Sequence, residues 1–175
     1  MSLHILIDGY NMIRQSEALS AMERISLQEG REALLERLAS YKRTRHHPIT
    51  VVFDGTHAQN PVQARTRYKG INIIFSRPGE LADTVIKRLV TRERERAVVV
   101  SSDKEIADFA SVHGAVSMGS VEFEDKMEVA AHVDTAAAYL GQEEEAGWTP
   151  TTKKKGPSRR PPKQKRKSRS RTRKL

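Results

Sequence analysis

The chain has 175 residues, of which 37% are hydrophobic and 30% charged, enough apolar material for one modest core and not for two. It contains no cysteine, which excludes disulfide scaffolds, cysteine-ligated zinc, iron–sulfur clusters and cysteine nucleophiles, and its apolar runs are too short to span a bilayer. The net charge of +9 is unevenly placed: Thr151 to Leu175 holds 13 Lys or Arg and no acid, leaving 18 basic against 22 acidic residues in 1–150, a body of net −4.

The first predicted element is a short strand, Leu3-His4-Ile5-Leu6-Ile7, ending at Asp8-Gly9-Tyr10-Asn11. It starts so close to the N-terminus that no signal peptide is expected. Leu27 to Tyr41 carries apolar residues at helical spacing, and Pro48 ends that stretch. A second strand, Ile49 to Phe53, ends at Asp54-Gly55-Thr56. The link from Gly55 to Gly70 is unusually long for a compact domain and holds Arg65, Arg67, Tyr68 and Lys69, so it reads as a functional loop whose cations contact phosphates. A third strand, Ile71 to Phe75, leads through Ser-Arg-Pro-Gly into a helix from Glu80 to about Glu95. A fourth, Ala97 to Val100, ends at Ser101-Ser102-Asp103, followed by a helix to Val112. Ala115 to Met118 is a short fifth strand, and Val121 to Leu140 is a last helix.

Apolar strands alternating with amphipathic helices predict an α/β fold with a mostly parallel sheet of four to five strands covered on both faces. The predicted domain is 1–142, with a linker and tail over 143–175. The tail has three prolines and a single apolar residue, Leu175, so it is expected to be disordered. Its charge suits a polyanion, most simply RNA, with Lys153, Lys154, Lys155, Arg159 and Arg160 as phosphate contacts. A plain solubilising end is the alternative.

In a parallel sheet with right-handed crossovers, the carboxyl ends of the strands share one edge. Asp8, Asp54 and Asp103 all follow strands, and Glu80 and Asp83 fall in the first turn of the helix after the third strand. On a helical wheel Asp83 lies just outside the apolar arc of Leu81, Ala82, Val85, Ile86, Leu89 and Val90. It should be half-buried and aimed over the sheet edge, with Glu80 more exposed. Crowded carboxylates repel one another unless a cation neutralises them, and hard oxygen ligands without cysteine or clustered histidine suit Mg²⁺ or Mn²⁺. Such ions support phosphodiester hydrolysis. Taken singly, Asp103 also reads as a helix N-cap and Asp54 as a turn residue.

Asp-Gly-Tyr-Asn after a first strand, Val-Phe-Asp-Gly after a second, Ala-Asp at a helix start and Ser-Ser-Asp-Lys-Glu-Ile after a later strand resemble an NYN domain. Their order and spacing, from about Leu3 to Leu140, look like the bacterial YacP-like branch of the PIN-like nuclease superfamily. The resemblance implies a PIN-like three-layer α/β/α fold and a metal-dependent ribonuclease, by expectation an endonuclease, with RNA as partner and the ribosome as a further one; the absence of cysteine fits an expected cytoplasmic location. By motif it makes Asp8, Asp83 and Asp103 the catalytic and metal-binding acids and Asn11 the accompanying polar residue, with Asp54 in support; Glu80 and Ser102, beside these acids in the chain, are further supporting candidates. Two other folds fail on residues. A haloacid dehalogenase-type phosphatase needs a nucleophile where Val52 stands, and a dinucleotide binder needs a glycine-rich first turn. The remaining alternative is a catalytically silent PIN-like module that binds RNA or the ribosome.

Overall fold

The computed structural model describes residues 2–55 and 65–140, so the linker, the basic tail and the domain boundary at 142 lie outside the described residues. Six strands form one sheet in the order β3-β4-β2-β1-β5-β6. They are β1 (His4–Asp8), β2 (Ile49–Phe53), β3 (Arg65–Tyr68), β4 (Ile71–Phe75), β5 (Ala97–Val100) and β6 (Val116–Met118). All neighbours pair in parallel except β3, which runs antiparallel to β4.

The sheet is covered on both faces, which is why its central strands are runs of Ile, Val and Leu. Successive residues of a strand face opposite sides, and β1 divides its side chains accordingly. Ile5 and Ile7 join a core with α1 (Gly9–Gln15), α2 (Glu17–Ile25), α3 (Leu27–Thr44) and α6 (Ser120–Leu140). Leu6 joins a second core with α4 (Ala82–Glu93) and α5 (Lys104–Val112). The fold is thus the three-layer α/β/α arrangement expected. Among the described residues no helix is long and apolar enough to cross a membrane.

The structure adds three elements. Helices α1 and α2 fill the segment between the first strand and α3. Their boundaries are marked by serines: the Ser16 hydroxyl accepts from Leu19 N, and the Ser26 hydroxyl accepts from Glu29 N at 3.0 Å. Ser26-Leu27-Gln28-Glu29 has the spacing of a capping box, a signal available in the sequence. The third addition is β3, which raises the strand count above the four or five expected. Its Arg-Thr-Arg-Tyr sequence lacks an apolar alternation, so it reads as loop. It becomes a strand because Lys69 and Gly70 both take positive φ, 45° and 80°, the geometry of a tight two-residue hairpin.

Candidate active site

The carboxyl ends of β1, β2 and β5 present their acids at one sheet edge. Asp8 ends β1, and its Oδ1 accepts from Asn11 N at 3.2 Å, capping α1. This turn requires Gly9, since a Cβ there would lie 2.3 Å from the Phe53 ring of β2. Gly9→Ala should therefore destabilise the protein by about 1–3 kcal/mol, the usual cost of overpacking, as read from urea denaturation. An unchanged midpoint would mean that Phe53 yields freely.

Asp8, Asn11, Asp54 and Asp83 line one open pocket of about 440 Å³, together with Tyr10 and Arg14. Burial pushes the Asp8 carboxyl up to about 6, and the charges of Asp83 and Asp103 push in the same direction. Asp83, in the first turn of α4, is likewise raised, by burial and then by the charge of Asp103. Asp103 is not among the residues lining the pocket, but its charge reaches both other acids. It is also the N-cap of α5, accepting from Glu105 N at 2.7 Å and Ile106 N at 3.4 Å. The capping and electrostatic readings therefore hold together. Lys87, whose charge opposes the rise at Asp83, is tied to Glu105. Among the described residues no three acids or histidines converge into a ready-made metal-ligand cluster.

Two side chains without a motif of their own hold this edge in place. The Ser101 hydroxyl accepts from Asp103 N at 3.1 Å and opposes the rise at the Asp8 carboxyl, so it bears on the ends of both β1 and β5. Ser120, at the start of α6, donates from its hydroxyl to Asn11 Oδ1 at 2.8 Å, and Ser102 N donates to the same oxygen at 2.9 Å. The Ser102 hydroxyl in turn accepts from Ser120 N at 3.3 Å. Asn11 thus spends its carbonyl oxygen stitching α1 to the β5–α5 loop and α6. The serine pair before Asp103 is a local signal for Ser101; nothing local points to Ser120, 109 residues from its partner.

Arg14 follows Tyr10 by four residues on α1, stands over its ring at 5.5 Å and is 64% exposed. It is the cation on the wall of an otherwise acidic pocket. Its position is readable only once residues 9–15 are known to be helical.

Other expected residues sit elsewhere. Glu80 precedes α4 and turns back, its carboxylate accepting from Arg77 N and pairing with Arg88 at 3.0 Å, so it does not line the pocket. Lys69 lies at the opposite end of the sheet, because the antiparallel β3 carries the chain away from the acidic edge. Its ammonium holds both Glu36 carboxylate oxygens at 2.8 Å. Arg65 pairs with Ile74 near the carboxyl end of β4, nearer the acids. Arg67 is two residues further along the same face. Lys153, Lys154, Lys155, Arg159 and Arg160 lie outside the described residues.

Comparison with known proteins bears on the family and the fold. The uncharacterized protein YacP of Bacillus subtilis (strain 168) is 31% identical over 85 residues, which is 49% of this chain and 49% of that protein. The aligned stretch thus spans about half the length of that relative. The crystal structure of Rae1 (YacP) from Bacillus subtilis superposes with a TM-score of 0.65 at 26% identity, covering 79% of this chain and 80% of the other. The crystal structure of a mutant of that same protein gives 0.66 at 22% identity, covering 82% and 86%. The model of the YacP-like NYN domain matches residues 5–169, reaching into the basic C-terminal segment. With that match over nearly its whole length, and with acids gathered at the carboxyl edge of a parallel sheet, the chain belongs to the YacP-like NYN domain family, a nuclease-like fold.

Proposed function

We propose that the chain is a metal-dependent ribonuclease that makes internal cuts in single-stranded RNA, using Mg²⁺ or Mn²⁺ held at the Asp8 edge. The observation that carries this reading is the gathering of Asp8, Asp83 and Asp103 at one sheet edge, where burial raises the Asp8 and Asp83 carboxyls and the charge of Asp103 pushes both in the same direction. Their oxygen donors fit the group. Mg²⁺ keeps several waters and takes only one or two protein carboxylates, so a closed cluster is not required. When bound, such an ion activates water and offsets the charge of a phosphodiester during in-line displacement.

The chain's own residues then have separable tasks. Asp8 and Asp83 hold the cation in the pocket, and Asp103 adds negative charge beside them. Ser101 keeps Asp8 and Asp103 in register, and the Asn11–Ser102–Ser120 bonds fix the helices around them. Asp54 supports the site from the end of β2. Arg14, on the pocket wall, is placed to take a phosphate oxygen of the strand. RNA associated with the ribosome is a substrate consistent with the family, and a cytoplasmic location is part of the proposal.

A second reading, a module that binds RNA without cutting it, is kept because no three acids or histidines converge into a metal-ligand cluster among the described residues. Incubating a labelled single-stranded RNA with the full chain in Mg²⁺, Mn²⁺ or EDTA separates the two. Internal cleavage in metal and none in EDTA is expected. Cleavage that persists in EDTA removes the metal from the mechanism, and binding without cleavage under all three conditions selects the silent module.

A further inference from the structure

The central strands are almost wholly apolar, with one local exception. His4 on β1, Thr50 on β2 and Asn72 on β4 are polar and share the face of the sheet that carries α4. Thr50 pairs in register with Asn72, and His4 Nε2 lies 2.8 Å from the Thr50 hydroxyl. The patch is largely buried, His4 and Thr50 being 8% and 3% exposed. It forms the floor of a cavity of about 270 Å³ whose walls include Arg65 from β3 and Arg92 from the last turn of α4.

The charge of this cavity contrasts with that of the body. Arg65 and Arg67 lie on the cavity's face of β3, since their β4 partners Ile74 and Asn72 do. Neither pairs with a carboxylate among the described residues. Arg92 is 62% exposed and touches Glu93, which among the described residues is the one acid bonded to these groups and also faces His4 and Arg96. Arginines with spare donors above a neutral polar floor suit a phosphate group.

Position ties the cavity to the acidic pocket. Helix α4 begins with Asp83 in the pocket and ends with Arg92 on the cavity, nine residues and about 14 Å along its axis. We infer that the cleft between β3 and α4 is a second, phosphate-binding subsite, formed by Arg65, Arg92 and Asn72, that holds the backbone of an RNA strand a few nucleotides from the bond at the Asp8 pocket. This rests on the ribonuclease reading for the direction of the strand, but not for the binding chemistry. The subsite gives an acidic body a place to grip a polyanion without neutralising its acids.

The test is fluorescence anisotropy of a labelled single-stranded RNA of about 20 nucleotides in EDTA, where cutting does not intervene. The wild-type full chain is compared with Arg65→Gln, Arg92→Gln, the double variant, and Lys69→Gln, which removes the same charge at the far end of the sheet. Both arginines are exposed, and unchanged melting curves confirm that the variants fold. The double variant should bind roughly tenfold more weakly, each arginine lowering the salt slope by about one, while Lys69→Gln changes neither. Equal binding by the double variant overturns the subsite, and an equal loss in Lys69→Gln shows that only general surface charge is at work. A parallel titration with a nucleoside monophosphate separates the two phosphate sources. If the arginine variants lose the mononucleotide but keep the RNA, the cleft takes a free phosphomonoester and the RNA assignment falls. Wild-type cleavage in Mn²⁺, scored separately, tests the ribonuclease reading, so either conclusion can fail alone.

Discussion

Asp8→Asn should abolish metal-dependent RNA cleavage and at the same time stabilise the metal-free protein at neutral pH. On the proposed metal-dependent reading, Asp8 would help hold a cation whose stabilisation of the reacting phosphate is worth several kcal/mol, so its loss costs roughly a thousandfold in rate. The gain in stability follows from the cost of holding Asp8 charged. Its carboxyl rises from an ordinary 3.8 to about 6, first through burial and then through Asp83 and Asp103. A carboxyl raised by folding makes no penalty below about pH 4, where it is protonated in both states. Its penalty grows as pH climbs to 6 and is fully present above it. A shift of this size corresponds to about 3 kcal/mol at pH 7. Asparagine keeps the cap on α1, because its side-chain oxygen also accepts from Asn11 N. Urea midpoints in EDTA should therefore separate variant from wild type at pH 7 and converge near pH 3.5. Equal midpoints at pH 7 would show that Asp8 is not strained by its neighbours, and full activity in the purified variant would remove it from the chemistry.

Truncation after residue 150 should flatten the salt dependence of RNA binding while leaving the cutting of saturating RNA intact. The removed segment holds 13 basic residues and no acid, and the remaining body is net −4. Each basic residue that neutralises a phosphate releases a counterion. If half of them do so, affinity falls by roughly a thousandfold between 50 and 200 mM salt. The segment carries no aromatic residue, so it should read little sequence. The acids at the pocket edge remain in the truncated chain, so turnover of bound substrate should persist. A truncated protein with the same affinity and slope would make the segment inert. One that folds and binds but no longer cuts would place part of the active site within it, an outcome that the family match to residue 169 makes worth testing directly.

Local patterns in the chain are enough to set the layer architecture and the edge on which the acids lie. Both depend on short-range regularities: runs of Ile and Val bounded by Asp-Gly or Ser-Asp, helices at 3.6-residue spacing, and the right-handed crossover that sends every strand's carboxyl end the same way. Asp8, Asp54, Asp83 and Asp103 need nothing more than their place after a strand or at a helix start. What each side chain does there is a matter of tertiary contacts. Glu80 and Asp83 are three residues apart, yet Arg88 and the Arg77 turn draw Glu80 aside while Asp83 faces the pocket. Lys69 and Arg65 are close in the chain, and the antiparallel β3 with its positive-φ turn sends them to opposite ends of the sheet. Asn11 meets Ser120 because α6 returns across the sheet, and His4, Thr50 and Asn72 meet because three separate strands pair in one register. Chain position sets where a backbone atom emerges. Where its side chain is spent depends on partners supplied from distant segments, and those exist only once the sheet and helices have closed on one another.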